Sequence, residues 1–364
     1  MSPFKHLLLG SSLLCFLTAQ SWAQGADPII RNNRPVSATL GHWTAEAMAN
    51  AKPKHIPTMA GTGHHPTASS AMPAVQGTPG VAGGMHDTPL PQSAIAEIEN
   101  GAPQPADGSY PGPNTTFTLD PAYGRAVTPY TAYPYSAIGR LFFTEPGVGD
   151  FVCSAAARYG GAALNIVWTA GHCIADGGKA KFYTNWMYCP AWNKNKGGVN
   201  PTFGCWSWAF ASTKGAWFNN GAFTRDVGYV GLQPTGTVLA TNVVSATGGL
   251  GFAWNWGREQ NWIHMGYPAE APYDGGFMVQ TNTEHRYDDA PDALGPATNS
   301  FGSPQTPGAS GSPVILFWTP GGGYINSNVS YYYAGQLGFE LQGPYYDTSV
   351  CNFWKTATGW GGTC

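Results

Sequence analysis

Charge is what this chain of 364 residues has least of. Asp, Glu, Lys and Arg together make up 10%, against about a quarter in an ordinary globular domain, and the net charge is −3. There is no basic stripe to track a phosphate backbone or an anionic membrane surface, so nucleic-acid and membrane partners are set aside. Beyond the N-terminal segment no run is apolar enough to span a bilayer. No Cys-x-x-Cys pair occurs, so a structural zinc site lacks its usual ligands; no metal and no organic cofactor is expected. No repeat of fixed period appears, and helix-period segments are scarce, with one short helix expected near "TSVCNFWKTA".

Glycine (49) and proline (30) are abundant instead, as in a loop-rich β protein or a chain with a low-complexity region. The N-terminus has a basic start at Met1–Lys5, an apolar core "HLLLGSSLLCFLTA", and small residues at Ser21 and Ala23. This reads as a secretory signal over residues 1–23, cut between Ala23 and Gln24, which sends the protein to the periplasm or the extracellular space. Cys15 leaves with it. Of the seven cysteines, Cys153, Cys173, Cys189, Cys205, Cys351 and Cys364 remain, an even set that reads as three disulfides in an exported chain. Several pairings are open, and sequence proximity favours Cys153–Cys173, Cys189–Cys205 and Cys351–Cys364.

Residues 24–125 are rich in Pro, Gly, Ala, Ser and Thr and show no sustained apolar period. Such a stretch cannot bury enough surface to offset chain entropy, so it is expected to be a disordered, low-complexity pro-region or linker. Its histidines, His42, His55, His64, His65 and His86, read as scattered polar residues rather than metal ligands. The change of texture at Gly124-Arg125-Ala126 places a maturation cut near Arg125. From 126 to 364, short runs such as "SAIGRLFFT", "ALNIVWTAG", "DVGYVGL" and "SPVILFW" are β-rich and separated by Gly, Pro and Asp. Many short strands at fairly even spacing point to an all-β barrel or sandwich, with enough chain for two barrels, about 126–240 and 241–364.

One serine, Ser310, sits in Gly308-Ala309-Ser310-Gly311-Ser312-Pro313, where small neighbours permit a tight turn and leave backbone N–H groups free. Serine hydrolysis also needs a histidine to take the hydroxyl proton, a carboxylate to fix that histidine, and N–H donors for the oxyanion. His172 lies in "IVWTAGHCIADG", at the end of an apolar strand and beside Cys173. A bridge from Cys173 to Cys153 would clamp it, at roughly 3 kcal/mol for a loop of about 20 residues. Asp226 in "FTRDVGYVGL" opens a strand; Asp150 and Asp176 compete, but Asp176 is too close in sequence to His172 to turn back onto it.

The order His172, Asp226, Ser310 and the strings "TAGHC" and "GASGSP" resemble the chymotrypsin-type serine peptidases. The Ser-Gly-Ser-Pro ending and Gly266-Tyr267-Pro268 are most similar to the secreted V8-like, glutamyl endopeptidase-like branch. The resemblance covers about 126–357. It implies two packed six-stranded antiparallel β-barrels, a trypsin-like fold with a short C-terminal helix. It also implies a secreted serine endopeptidase acting through an acyl-enzyme on protein or peptide substrates, as a monomer. His172 would be general base and then acid, Asp226 its orienting carboxylate, and the N–H groups of Gly308 and Ser310 the oxyanion hole. Ser330 would start the substrate-binding strand, with Tyr331 and Tyr332 along the specificity pocket. Three departures matter. Ala309 replaces the aspartate that pairs with a freed N-terminus, Pro304 stands near where trypsins carry an acid, and no histidine follows Ser310 to neutralise a glutamate side chain. Glu340 is the one other acid placed to reach such a pocket. A catalytically silent binding protein or an esterase on the same fold is the alternative. Asn114-Thr115-Thr116 and Asn328-Val329-Ser330 are glycan acceptor sequences; a sugar on Asn328 would crowd the site, so an active form is expected without one.

Overall fold

The computed structural model describes residues 26–61, 74, 77–84, 130–194, 197–319 and 321–364. The signal over 1–23, Asn114 and the cut near Arg125 lie outside the described residues. The chain is mostly β. Six strands, Ile138–Glu145, Gly149–Ala157, Ile166–Thr169, Thr184–Pro190, Trp206–Thr213 and Gly228–Leu232, pair antiparallel. The pairing of Trp206–Thr213 with Gly228–Leu232 closes them into a barrel. Its strands are apolar and aromatic: Leu141, Phe142, Val152, Val167, Trp186 and Val230 are all fully or almost fully buried on one face or the other. Apart from Leu141, these are the β-branched and aromatic residues that suit a pleated, packed surface.

The second unit is a sheet of eight strands, where six were expected. The strands pair in the order Glu340–Gly343, Thr298–Gly302, Val279–Asp289, Asn261–Gly266, Pro313–Thr319, Gly322–Asn328, Gly251–Trp254 and Gly80–Ala82. The last of these comes from the N-terminal stretch and pairs antiparallel with Gly251–Trp254. The C-terminal helix Thr348–Thr358 is capped by Asp347, whose side chain accepts from the Val350 N–H. It packs Phe353 and Trp354 against Trp168 and Phe252. Short helices at Val36–His42, Ala45–Asn50, Gly215–Asn220 and Val243–Thr247 were not expected from the sequence. The three disulfides are Cys153–Cys173, Cys189–Cys205 and Cys351–Cys364, the neighbour pairing.

Part of the stretch expected to be disordered is built into this architecture. Ile29–Arg31 pairs with Phe210–Ser212, beside the half of that strand which Thr184–Pro190 leaves uncovered. Asp27 receives Lys214 Nζ and the Gly215 N–H, both at 2.9 Å. Trp43 is 5% exposed and donates its indole N–H to the Asn185 carbonyl. Average composition concealed a few large apolar anchors, Trp43, Met48 and Ile56, each of which supplies about 1.5–3 kcal/mol when buried on a surface made by other elements.

Candidate active site

The apolar strand Ile166–Thr169 ends in a single tight turn, Gly171–Cys173, and the Cys153–Cys173 bridge ties that turn to the neighbouring strand. His172 is thereby aimed at the loop that precedes strand Gly228–Leu232. There His172 Nδ1 lies 2.7 Å from Asp226 Oδ2, and the His172 backbone N–H donates to Asp226 Oδ1 at 2.7 Å. Ser330 Oγ donates to Asp226 Oδ2 at 2.6 Å. Three donors on a carboxylate with no exposure suit an ionised, acceptor-only Asp226. With Nδ1–H given to Asp226, Nε2 carries the lone pair. His172 Nε2 is buried and has no hydrogen-bond partner among the described residues.

Backbone geometry explains the small residues around Ser310. Gly308 has φ +98°, and a Cβ there would lie 2.6 Å from the Tyr267 carbonyl oxygen. Gly311 has φ +76°, and a Cβ there would lie 2.0 Å from Thr169 Oγ1. Neither position tolerates a side chain, because L residues disfavour that backbone region and because Tyr267 and Ala269 block Gly308 while the first barrel blocks Gly311. The loop carbonyls are tied down as well. Ser154 accounts for two of them: its N–H donates to the Ser310 carbonyl at 2.8 Å and its hydroxyl to the Gly308 carbonyl at 2.9 Å. Thr169 Oγ1 in turn donates to the Ser154 carbonyl. Behind the loop, Ser312 Oγ donates to the Ala309 carbonyl and lies 2.7 Å from His264 Nε2. Burial holds the His264 imidazole neutral, its pKa lowered to about 3.

Ser310 does not face His172 Nε2 in a hydrogen bond. Its hydroxyl is directed to the carbonyl oxygen of Lys54, at 3.3 Å, and the Gly308 N–H donates to that same oxygen at 3.3 Å. Lys54 was missed by sequence reasoning, although Pro53 and Pro57 in "KPKHIPTM" mark an extended segment.

The remaining expected residues are distributed unevenly. Ser330 touches Asp226 as above. Tyr331 is fully buried, its hydroxyl bonded to Asp289 and Thr298. Tyr332 stays half-buried, and its N–H donates to the Pro57 carbonyl at 3.0 Å. Glu340 is engaged by Arg286 Nη1 at 3.1 Å, by the Tyr287 hydroxyl and by Gln342 Nε2, which leaves it poorly suited to receive a basic side chain. Asp150 contacts His42, and Asp176 contacts Lys179, so both competing acids are occupied elsewhere. Asn328 contributes an unforeseen contact: it is fully buried, and its amide donates to the Asp226 carbonyl at 3.1 Å. The sulfurs near His172 are joined in the Cys153–Cys173 bridge and offer no thiolate to a metal.

No protein-family model matches the chain, and no curated protein matches it. Solved structures do. A thermostable serine protease, AL20, from an extremophilic microorganism is 31% identical with a TM-score of 0.54, over 62% of this chain and 97% of its own. The protease Anisep from Arthrobacter nicotinovorans is 27% identical with a TM-score of 0.54, over 62% of this chain and 96% of its own. A Glu endopeptidase is 17% identical with a TM-score of 0.48, over 64% of this chain and 95% of its own.

Proposed function

Because the chain belongs to the serine proteases of the chymotrypsin-like fold, we propose that it is an endopeptidase using His172, Asp226 and Ser310, exported through its N-terminal signal. One observation carries the reading. The Lys54 carbonyl oxygen accepts from the Gly308 N–H and the Ser310 hydroxyl, both at 3.3 Å, and His172 Nδ1 lies 2.7 Å from Asp226 with its Nε2 unpartnered among the described residues. A scissile carbonyl would use the same Gly308 N–H, with the Ser310 N–H in place of its hydroxyl.

Ser310 Oγ bonds to the carbonyl carbon as its proton passes to His172 Nε2. The oxyanion is received by the Gly308 and Ser310 N–H groups. His172 then gives the proton to the leaving nitrogen, and the C–N bond breaks to leave an ester on Ser310. Water repeats the sequence on that ester and restores the hydroxyl. Asp226 stays a carboxylate throughout and steadies the imidazolium. Ser330 and Asn328 are positioning residues that hold Asp226 from its side chain and its carbonyl. Three disulfides support an oxidising compartment. Cleavage after glutamate has no support from the residues around Ser310, since no histidine follows it.

The test is labelling of the purified protein by a fluorophosphonate, followed by turnover of a peptide library. Ser310→Ala is expected to abolish labelling. In protein from which the N-terminal segment has been cleared, Ser310→Ala and His172→Ala should lower turnover by about a million-fold and Asp226→Ala by about ten-thousand-fold. Near-normal peptide turnover by Ser310→Ala would overturn the assignment. Turnover of esters alone would make it an esterase, and persistent silence of the cleared protein would make it a binding protein.

A further inference from the structure

The carbonyl oxygen held by the Gly308 N–H and the Ser310 hydroxyl belongs to the chain itself. Residues 52–59 cross the groove between the barrels. Lys52 and Pro53 pair with Phe151 and Val152 in parallel, and the Lys54 N–H donates to the Val152 carbonyl at 2.9 Å. The Lys54 carbonyl then meets Gly308 and Ser310. Thr58 and Met59 pair with Tyr332 and Tyr333, again in parallel. The Tyr332 and Ala334 N–H groups donate to the Pro57 and Met59 carbonyls, both at 3.0 Å. The strand that begins at Ser330 is therefore occupied, as it would be by a peptide added to its edge.

The direction is wrong for cleavage. A substrate lays the residues before its scissile carbonyl along that strand and places the preceding side chain in the pocket. Here the residues along that strand come after the carbonyl. The side chain that is buried is Ile56, two residues beyond Lys54. The Lys54 side chain points the other way, to Glu145 Oε2 at 2.7 Å and the Tyr183 hydroxyl at 3.1 Å. Ser310 spends its hydroxyl on the Lys54 carbonyl oxygen, and His172 Nε2 has no hydrogen-bond partner among the described residues. Ser310 and His172 are 0% and 3% exposed under this cover.

Ile56 is 1% exposed and belongs to the apolar cluster that holds Phe301, Val329 and Leu341, with Tyr332 packed against it. It lies two residues before Thr58, which pairs with Tyr332 of the strand Tyr332–Tyr333. Of the acids near that strand, Glu340 is bonded to Arg286, Tyr287 and Gln342, and Asp289 accepts from the Tyr331 and Tyr333 hydroxyls.

We propose that residues 52–59 are a built-in inhibitor lying in the substrate groove against the direction of a substrate. The seat of Ile56 is the pocket that reads the residue before the scissile bond, so the enzyme cleaves after branched aliphatic residues. This rests on the peptidase reading above. Anchoring at Asp27, Ile29–Arg31 and Trp43 keeps the segment at high local concentration over the groove.

The experiment compares the full chain with its Ile56→Asp and Ile56→Ala variants. Hydrogen exchange is followed at the Tyr332 and Ala334 amides, with the paired strands Ile138–Glu145 and Gly149–Ala157 as internal control, and fluorophosphonate labelling at Ser310 is timed in parallel. Ile56→Asp is expected to speed exchange at Tyr332 and Ala334, and labelling, by about tenfold or more, with Ile56→Ala in between and the control strands unchanged. The released enzyme should cut a denatured proteome after Ile, Val and Leu. Tyr332 and Ala334 exchanging in the wild-type chain as fast as open amides, or equal labelling rates in all three proteins, would overturn the inhibitor. Cleavage after Glu or after Lys and Arg would overturn the pocket. Accelerated exchange with no labelling in any variant would uphold the docked segment and sink the peptidase chemistry.

Discussion

Asp347→Ala should unfold this protein far more readily than an ordinary surface change, and the structure says by how much. Asp347 and Arg225 are both fully buried and joined twice, Nη1 to Oδ1 at 2.8 Å and Nη2 to Oδ2 at 3.0 Å. Removing one partner of such a pair leaves an uncompensated buried charge and costs about 3–5 kcal/mol. Asp347 also caps the helix Thr348–Thr358, which adds about 1 kcal/mol. For a chain of this size, each kcal/mol lowers the melting temperature by about 2–4 °C, so Asp347→Ala is expected to fall by about 10 °C or more. Asp347→Asn keeps a capping acceptor and isolates the ion pair. Replacing both partners, Arg225→Met with Asp347→Leu, should recover much of the loss, because an apolar pair avoids the desolvation penalty. The consequence reaches the site, since Arg225 directly precedes Asp226 and Asp347→Ala frees the loop that aims the carboxylate at His172. Thermal melts at one scan rate, with disulfides intact, decide it. A shift no larger than loss of the cap alone, or a double variant as unstable as the sum of the singles, would refute the reasoning.

His264 should make the nucleophile loop sensitive to acid. Its pKa of about 3 in the folded chain lies below the unfolded value of about 6.5, so the unfolded chain binds more protons between these limits. Stability is then lost as pH falls from about 6.5 towards 3, by up to about 1.4 kcal/mol per unit, and His264→Gln should flatten that slope in denaturant titrations; an unchanged slope would remove His264 as its origin. Asn328 should carry no sugar, because its amide is buried on the Asp226 and Val329 carbonyls and its oxygen accepts from Tyr346. Intact mass before and after an N-glycosidase checks this, and a glycan mapped to Asn328 in folded protein would contradict the packing.

The barrel strands were legible because their apolar runs are short, β-branched and punctuated by Gly, Pro and Asp. The neighbour disulfides followed from separations of 13 to 20 residues. His172 and Ser310 stood out because each lies in a string of small residues with few other uses. The contacts that assemble them were not legible. Ser154 and Asn328 are ordinary residues until the fold places one under the Ser310 loop and the other behind Asp226, at sequence separations of 154 from Gly308 and 102 from Asp226. The same holds for the second sheet, whose eighth strand, Gly80–Ala82, is three residues of a stretch that composition assigns to a linker.

The N-terminal stretch shows why composition failed there. Chain entropy must be offset by burial, and residues 26–61 have too few apolar side chains to build a core of their own. They need none, because the barrels supply the other half. Trp43 packs on Phe142 at 5.4 Å, Lys54 lies over the rings of Phe151 and Tyr183 at 4.8 Å each, and Ile56 enters a cluster made by the second sheet. Each contact is to an element distant in sequence, so no local window could contain it. The six strands of the first barrel close among themselves, and the segment adds to them from outside. That is what a removable inhibitor requires: strong enough docking to cover Ser310, and no share of the barrel closure that positions Ser310 once the segment has gone.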